Sequence, residues 1–388
     1  MIDIICFSTT PWDPIPTRKQ QIMKRMPENC RIFYLDPPVT YIGPLKDPSL
    51  RPYLTKFRKS PKRIKENLYV FALPPIMPFY NKKRSINKFN QKMIARFVQE
   101  VIYQNFGLKS PIIWTYMPNT VDILEYLPYE FLIYDCIDKH SEFQGFINKQ
   151  IVEEMEDELA KKSNVVFTTT VGLYNKLKNL NSKTYLVPNG AEFEHFNKAA
   201  QRLSVPDIMK NIPHPIFGFV GVIHTWIDIQ LIEYLASKRK DWSFVLIGPV
   251  GAGVNVDNLK KYKNVYLLGR VDHQILPQYV SQFDVCLNLF RVNKLSENVS
   301  PLKFYEYLAT GKPIVSTSMP QVEEFSDVVY IGKDYDEILQ KCEEAISEVN
   351  EGKDEKVLKR IEYARLTSWD SRVSQILEIL KREGIYIE

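Results

Sequence analysis

Short apolar runs alternate along the chain with segments in which apolar residues recur every three or four positions. The runs are rich in Ile, Val, Leu and Phe, which predicts buried strands, and the longer period predicts amphipathic helices. Strands separated by such helices form parallel sheets with helices packed on both faces. We therefore predict an α/β fold of the doubly wound, Rossmann-like type.

The alternation occurs in two series. In the first we expect strands at 2–8, 31–35, 68–73, 112–114, 131–134, 165–168 and 184–187, and helices at 17–26, 86–106, 120–126, 147–162 and 171–180. In the second we expect strands at 217–220, 244–247, 265–268, 285–289, 314–317 and 328–331, and helices at 228–238, 275–282, 301–309 and 335–349. The tail over 356–383 is helical by its period, with an interruption at 367–370.

The two series and the length of 388 residues favour two domains of ordinary size. Between the series the chain reads Pro-Asn-Gly and then contains several prolines with few periodic positions. Because Gly and Pro mark loops, we expect an N-terminal domain over 1–190, a linker over 191–215 and a C-terminal domain over 216–366. Ligands of such sheets bind at the carboxyl ends of the strands, so two facing domains would form a cleft lined by loops.

One predicted helix of the second domain carries more chemistry than the others. Ser300 is a good N-cap, Pro301 suits the first helical position and Gly311 suits the left-handed residue past the end. Free amides at the start of a helix attract anions, and Lys303 adds a positive charge there. Glu306 is expected on the same helix face, where its carboxylate can accept hydrogen bonds from both hydroxyls of a ribose. The spacing fits a nucleotide diphosphate, and a weak surface ion pair of Lys303 with Glu306 is the alternative.

Several motifs together resemble a known family. They are Ser300 to Thr317, Phe217-Gly218-Phe219-Val220-Gly221, Val187-Pro188-Asn189-Gly190-Ala191-Glu192, the early loop and helix with Trp12 and Arg18-Lys19-Gln20-Gln21, Leu35-Asp36-Pro37-Pro38, Tyr134-Asp135-Cys136-Ile137-Asp138, and Trp369-Asp370-Ser371-Arg372. In this combination the chain is similar to GT-B glycosyltransferases, especially bacterial exopolysaccharide and teichuronic-acid enzymes near family four. The similarity extends over nearly the whole chain.

The resemblance implies two Rossmann-like domains that face each other across a cleft, with residues 367–388 forming a helix that crosses back to the first domain. It also implies that the second domain binds a nucleotide-sugar donor, with UDP as the expected nucleotide. In that arrangement Glu306 holds the ribose, Lys303 and the amides near Ser300, Pro301 and Leu302 hold the diphosphate, and Gly221 allows close approach of the backbone.

The donor motif departs from the family pattern at two places. Many relatives have two glutamates eight positions apart, whereas here Asn298 lies eight residues before Glu306, and Glu297 is one position out of register. Family-four enzymes often carry Arg and Lys after the glycine-rich loop, where this chain has His224. We therefore expect phosphate binding to depend on Lys303 and the backbone, with Arg270 as a helper and His224 near the sugar or phosphate.

The acceptor hydroxyl needs a base in an inverting reaction, and the candidates follow a predicted strand of the first domain. Asp138 and His140 fall where the chain leaves the sheet, and Asp138 is the preferred base because some inverting relatives have a similarly placed Asp. An N-cap or loop-stabilising Asp is the alternative, since Asp favours such turns for local reasons. Relatives near family four usually retain the anomeric configuration, so the stereochemical outcome stays open.

A second loop of the first domain is expected to bind the acceptor. Arg18 opens a predicted helix, where its charge opposes the helix dipole, which suggests that it holds an anionic acceptor or the leaving diphosphate. Trp12 in the preceding loop has a ring that can stack on a sugar, although a packed loop aromatic is the commoner case.

No metal and no cofactor besides the nucleotide sugar is expected. Asp135-Cys136-Ile137-Asp138 is not the Asp-x-Asp sequence of metal-dependent transferases, and no His or Cys pair has metal-like spacing. The five cysteines have apolar neighbours, which favours buried thiols in a reducing cytosol. A dehydrogenase is disfavoured because no Gly-x-Gly-x-x-Gly follows either opening strand.

The positive charge is concentrated in one segment. Residues 46–109 contain 15 basic and three acidic residues with interleaved aromatics, while the whole chain has a net charge of only +5. This combination suits an anionic membrane surface, and a solvated basic face is the alternative. No long apolar stretch or signal peptide is evident, so we expect a cytoplasmic protein docked at the inner face of the membrane, with no nucleic-acid partner.

The leading function is transfer of a sugar from a nucleotide diphosphate to a bacterial surface glycan on a lipid-linked acceptor. A nucleotide-sugar 2-epimerase and a binding protein that has lost catalysis share the architecture and stay as alternatives. The sugar, the acceptor, the linkage and the oligomeric state are not determined by the sequence.

Overall fold

The computed structural model describes residues 1–142, 145, 147–251, 253–293, 299–352 and 354–387. The chain divides into two compact units. Unit 1 comprises residues 1–188 and 373–388, and unit 2 comprises residues 189–372.

Unit 1 is built on an eight-stranded sheet with the order β3-β4-β2-β1-β5-β6-β7-β8. The strands are β1 (Ile2–Phe7), β2 (Cys30–Asp36), β3 (Lys62–Lys65), β4 (Leu68–Ala72), β5 (Ile112–Thr115), β6 (Leu132–Cys136), β7 (Val165–Thr168) and β8 (Thr184–Leu186). All neighbouring strands pair in parallel except β3, which pairs antiparallel with β4. The sheet places the ends of β1, β5 and β6 side by side.

The helices of unit 1 connect these strands. They are α1 (Arg18–Lys24), α2 (Gly43–Lys46), α3 (Tyr53–Lys56), α4 (Arg84–Val98), α5 (Gln104–Phe106), α6 (Lys149–Lys162) and α7 (Val171–Lys178). A π-helical turn, Gln99–Tyr103, joins α4 to α5, and the predicted helix at 120–126 is a 3-10 helix, Pro118–Ile123. The central strand β1 is buried on both faces, as its apolar run predicts, with Ile4, Ile5 and Cys6 fully inaccessible.

Unit 2 contains a six-stranded sheet in which all neighbours are parallel, with the order β11-β10-β9-β12-β13-β14. Its strands are β9 (Ile216–Val220), β10 (Ser243–Ile247), β11 (Val265–Gly269), β12 (Val285–Asn288), β13 (Ile314–Thr317) and β14 (Tyr330–Gly332). Its helices include α8 (Phe193–Phe196), α9 (Ile229–Lys238), α10 (Leu276–Val280), α11 (Leu302–Ala309), α12 (Pro320–Glu323), α13 (Tyr335–Glu351) and α14 (Asp354–Leu366). The final helix, α15 (Trp369–Arg382), begins in unit 2 and ends in unit 1.

Residues 191–215, which the proline pattern assigns to a linker, belong to unit 2. Phe193, Phe196 and Met209 are buried in the same apolar cluster as Phe304 of α11. The sequence pattern misses this because the segment folds as short helical turns, which have too few residues to show a period.

The two parallel-sheet units confirm the predicted α/β fold class. All five cysteines are buried and free. No helix within the described residues is long and apolar enough to cross a membrane.

Candidate functional site

Glycine residues allow close backbone contact between the carboxyl ends of three neighbouring strands in unit 2. The N–H of Gly221, after β9, donates to Ile247 O at 2.9 Å, and the N–H of Gly248, after β10, donates to Gly269 O at 2.8 Å. A Cβ on Gly248 would lie 1.9 Å from Gly221 O, so only glycine fits there. Arg270 is exposed directly after β11, on the same edge of the sheet.

Helix α11 is attached to this edge by a tyrosine. The backbone N–H of Val220, the last residue of β9, donates to the hydroxyl of Tyr307 at 2.7 Å. Tyr307 is buried, and Val220 immediately precedes Gly221. This bond therefore holds α11 at a fixed position beside the glycine turn.

Lys303 and Glu306 lie on one face of α11, as the sequence predicts. Lys303 Nζ is 2.5 Å from Glu306 Oε2, and the two side chains are 26% and 10% exposed. Burial raises the pKa of the Glu306 carboxyl, and the charge of Lys303 opposes this shift. The Lys303 amine also lies 5.2 Å from the centre of the Phe196 ring. The pair is thus partly buried, and the interpretation as a weak solvated surface pair does not describe it.

The start of α11 differs from the expectation in one detail. Ser300 is not the N-cap, because the helix begins at Leu302 and Pro301 occupies the cap position, where its side chain makes no capping hydrogen bond. The proline ring and its extended backbone (ψ 114°) delay the first helical residue by one position. The first-turn amides of Leu302 and Lys303 therefore have no side-chain acceptor at the cap, while Gly311 adopts the predicted left-handed conformation with φ 70°.

Ser300 is held by Asn189 of the Pro-Asn-Gly sequence, a site residue that the sequence analysis does not predict. The N–H of Asn189 donates to Ser300 Oγ at 3.2 Å, and Asn189 Nδ2 donates to Ser300 O at 2.7 Å. A Cβ on Gly190 would lie 2.6 Å from Thr367 O, which requires glycine next to this asparagine. The Pro-Asn-Gly sequence therefore fixes the loop that precedes α11.

The loop after β9 presents two stacked aromatic rings. The His224 and Trp226 rings are 3.7 Å apart with nearly parallel planes, and Trp226 is exposed. A Cβ on Gly251 would lie 2.6 Å from the His224 ring. His224 is thus in the predicted loop, and its contact with a sugar or phosphate stays a prediction. Glu297 and Asn298, the departures from the paired-glutamate pattern, lie outside the described residues.

A cluster of Glu192, His195 and His273 lies close to this site and was not predicted. Their potential ligand atoms are within 4.8 Å of one another. The two imidazole planes are stacked at 4.5 Å with an angle of 12°. Because a metal binds in the plane of each ring, nearly parallel stacked rings do not direct their nitrogens at one ion. His195 Nε2 instead contacts His273 O at 2.8 Å, which ties the two loops together.

In unit 1 the structure brings Asp138 and His140 together with Lys19, which the sequence analysis missed as a site residue. The N–H of His140 donates to Asp138 O at 3.0 Å. Burial raises the pKa of Asp138, and the charges of His140 and Lys19 oppose this. Burial also lowers the pKa of His140, and it lowers the pKa of Lys19 to about 8. The sequence gives no indication that Lys19 is buried, since lysine side chains are usually exposed.

Asp138 is not the N-cap of α6, the α-helix that follows it in the chain. The cap of α6 is Asn148, whose Oδ1 accepts hydrogen bonds from the backbone of Gln150 and Ile151. The structure therefore does not support an N-cap role for Asp138 at α6. Its roles as a loop-stabilising residue and as a base stay predictions. His140 lines a cavity of unit 1 with a volume of about 200 Å³.

Arg18 and Trp12 are packed inside unit 1, which argues against their predicted roles in acceptor binding. Arg18 Nε is 3.0 Å from both carboxylate oxygens of Asp135, and both side chains are almost fully buried. The Trp12 ring is 7% exposed and packs edge-on against Tyr34 at 4.9 Å. The negative charge of Asp135 compensates the unfavourable position of Arg18 at the start of a helix. The Trp12 ring, which was expected to stack on a sugar, packs against Tyr34 instead.

Comparisons with known proteins identify relatives of this chain. Residues 214–348, most of unit 2, match the family model described as glycosyl transferases group 1. The chain is 25% identical over 285 residues to TuaH of Bacillus subtilis (strain 168), a protein assigned to teichuronic acid biosynthesis as a glycosyltransferase; the match covers 69% of this chain and 70% of TuaH.

Solved structures show the same fold at low sequence identity. Sucrose-phosphate synthase from Thermosynechococcus elongatus has a TM-score of 0.70 and 12% identity, with 98% of this chain and 99% of that chain covered. HepE of Anabaena in complex with UDP-glucose has a TM-score of 0.67 and 13% identity, with coverages of 98% and 100%. The resemblance to GT-B glycosyltransferases that the motifs predict is confirmed.

Proposed function

We propose that this chain, a glycosyltransferase of the group 1 type, transfers a sugar from a UDP-sugar to a hydroxyl of a bacterial surface glycan. The observation that carries the proposal is the partly buried Lys303–Glu306 pair on α11, which Tyr307 holds beside the glycine turn after β9. The nucleotide follows from the solved HepE structure, which contains UDP-glucose. The glycan follows from TuaH and its assignment to teichuronic acid biosynthesis.

The donor is held by unit 2. The Glu306 carboxylate accepts hydrogen bonds from the two ribose hydroxyls, and the diphosphate lies at the uncapped start of α11. The Lys303 amine moves from Glu306 toward the phosphates, whose negative charge is larger than that of one carboxylate. Both residues thereby stabilise the UDP that leaves when the glycosidic bond to phosphate breaks.

The acceptor is held by unit 1, where Asp138 is the general base. The acceptor oxygen forms a bond to the anomeric carbon, the bond from that carbon to the phosphate oxygen breaks, and the acceptor proton passes to Asp138. Lys19 is a positioning residue that helps to keep Asp138 ionised, because its charge lowers the carboxyl pKa. Displacement of this kind inverts the anomeric configuration.

Transfer requires no divalent metal in this proposal. Lys303 and the first-turn amides of α11 supply the positive charge that a metal supplies to phosphates in other enzymes. The test is transfer measured after EDTA treatment, with and without added Mg²⁺. Equal rates support the proposal, and loss of transfer that Mg²⁺ restores contradicts it.

Unit 1 binds an anionic membrane through an exposed apolar and basic surface. Tyr41 is 52%, Leu45 83% and Met77 45% exposed. The N–H of Tyr41 donates to the carbonyl of Ile76, so Tyr41 and Met77 are neighbours on this surface. Exposed side chains of this size are the kind that enter the headgroup region beside basic residues.

The structure also identifies suitable charges for the membrane test. In the basic run at 62–65, Lys62 Nζ pairs with Asp13 at 2.6 Å and Lys65 Nζ donates to Lys24 O at 2.5 Å, so both amines already have protein partners. Arg51 and Lys59 are exposed and lie between Leu45 and Met77 in the sequence. The test uses sedimentation with vesicles that contain phosphatidylglycerol.

We expect Leu45→Ser combined with Arg51→Glu and Lys59→Glu to reduce vesicle binding at least tenfold. Leu358→Ser is the matched control, because this leucine is also exposed but lies on α14 of unit 2. If the triple variant sediments with vesicles as well as the wild type, membrane contact through this surface is excluded.

The activity test incubates the protein with UDP-glucose, UDP-galactose, UDP-N-acetylglucosamine and UDP-glucuronate, each with lipid-linked glycan acceptors. Mass spectrometry detects the new glycoside, and NMR determines its anomeric configuration. We expect an inverted product with one donor, and Asp138→Asn should reduce turnover at least 100-fold with unchanged UDP binding. Isomerised free donor without transfer indicates an epimerase, turnover with retention contradicts the base, and UDP binding without turnover indicates a binding protein.

A further inference from the structure

A neutral cavity of unit 1 contains a buried acceptor oxygen that no described residue satisfies. The cavity has a volume of about 200 Å³ and is lined by residues that follow β1, β2, β4, β5 and β6, together with residues of α4 and α6. Gln91 of α4 is one of the lining residues, is 2% exposed, and its Oε1 has no hydrogen-bond partner among the described residues. A buried polar atom of this kind is destabilising unless a ligand or water donates to it.

The orientation of the Gln91 amide is fixed by its neighbours. Asn87 Nδ2 donates to Asn119 O and to Asp122 Oδ2, both at 2.8 Å, so Asn87 Oδ1 is directed the other way as an acceptor. Gln91 Nε2 donates to that oxygen at 3.4 Å. The network therefore assigns the nitrogen to Asn87 and leaves the oxygen of Gln91 as the group that requires a donor.

The cavity has no formal charge of either sign on its described walls. Its lining consists of apolar side chains, prolines, Thr, Asn, Gln, one Tyr and one His, without Lys, Arg, Asp or Glu. Burial raises the pKa of Tyr80 and lowers that of His140, so burial disfavours the charged form of both titratable lining groups. A phosphate or carboxylate in this cavity would lose its water without gaining a cation, so anionic groups are disfavoured.

The cavity is large enough for one six-membered sugar ring. A cavity of about 150 Å³ is sufficient for benzene in another protein, so about 200 Å³ has room for a single six-membered sugar ring. Apolar walls suit the C–H faces of such a ring, and Gln91 Oε1 suits one of its hydroxyl or amide donors.

We propose that this cavity selects the acceptor, taking an uncharged sugar ring that donates one hydrogen bond to Gln91 Oε1. The inference rests on the proposed function, since it names the substrate class of the acceptor site. Gln91 is a specificity-determining residue in this proposal. Uronate and phosphorylated rings are disfavoured because the cavity lining contains no cation.

The test is saturation-transfer NMR with the methyl glycosides of glucose, galactose and N-acetylglucosamine, together with methyl glucuronide and methyl galacturonide. We expect at least one neutral glycoside to bind at least tenfold more tightly than the matching uronide. Gln91→Met, which has the same length but no acceptor oxygen, should weaken the neutral ligand about tenfold. Gln104→Leu is the control, because Gln104 is exposed in α5 and lies outside the cavity lining.

Three results would overturn the inference: no neutral glycoside binds, a uronide binds as tightly as its neutral counterpart, or Gln91→Met binds like the wild type. The first two need only the wild-type protein, so the test does not depend on a variant that folds. UDP binding is measured on the same samples. Intact UDP binding with failed selection removes this inference alone, whereas absence of UDP binding removes the proposed function.

Discussion

The backbone N–H of Val220 and the hydroxyl of Tyr307 are 2.7 Å apart, and this hydrogen bond joins the end of β9 to α11. It connects the glycine turn with the helix that carries Lys303 and Glu306. The position of the donor residues therefore depends on a buried group that touches no ligand in the proposed function.

Tyr307→Phe tests this connection. The variant leaves the buried N–H of Val220 without its acceptor, so we expect unit 2 to lose about 1–3 kcal/mol of stability and to bind UDP more weakly. Urea unfolding and UDP titration measure the two effects. Tyr363→Phe is the control, since the Tyr363 hydroxyl donates a hydrogen bond to the exposed residue Asp327. Unchanged stability and affinity in Tyr307→Phe would contradict the positioning role.

Lys303→Met should affect the phosphates and not the nucleoside. We expect UDP affinity to fall roughly tenfold, corresponding to about 1.4 kcal/mol, while uridine affinity stays within about twofold of the wild type. Isothermal titration with both ligands measures the difference. An equal loss for UDP and uridine would show that Lys303 acts through the fold or through Glu306 and not on the diphosphate.

Asp135→Asn should destabilise unit 1 by about 3–5 kcal/mol, because it leaves the buried charge of Arg18 without its counter-charge. Adding Arg18→Met should restore part of the loss, since the unpaired charge is then removed. Glu100→Gln is the control, because its pair with Arg96 is largely exposed and should contribute less than about 1 kcal/mol. If Asp135→Asn loses no more stability than Glu100→Gln, a structural ion pair between Arg18 and Asp135 is contradicted.

Lys19 makes the stability of unit 1 depend on pH. Its pKa falls from 10.5 to about 8 on burial, so between these values the unfolded chain binds more protons and stability rises with pH. Lys19→Met lacks this dependence, so its stability relative to the wild type should be greater at pH 7 than at pH 9.5 by about 1–2 kcal/mol. Unfolding by urea at both values measures it, and a constant difference between the proteins would contradict a buried Lys19.

Much of the fold can be predicted from the sequence, because short runs of apolar residues indicate buried strands. The strands at 165–168 and 314–317 are observed with the predicted bounds. The sequence does not predict β3, because Lys62–Lys65 has a single apolar residue and its pairing with β4 at the sheet edge is a tertiary effect. The 3-10 helix Pro118–Ile123 is likewise set by its packing against α4 and α6 and not by its own period.

The candidate site is predictable where local spacing determines geometry. Lys303 and Glu306 are three residues apart on one helix, and the structure places them in contact. The burial of Arg18 and Lys19 cannot be predicted from local spacing, because their partners Asp135 and Asp138 lie more than a hundred residues later in the chain. Gln91 gives no local signal either, because only the folded sheet places the loops that surround it.

The most direct test of the account is isothermal titration of UDP and uridine into the wild type and Glu306→Gln, with Glu324→Gln as the exposed control. The account predicts that the wild type and the control bind UDP, and that Glu306→Gln weakens UDP and uridine alike by about tenfold or more, because the ribose loses a charged acceptor. Absence of UDP binding by the wild type, or equal affinities in wild type and Glu306→Gln, would contradict it.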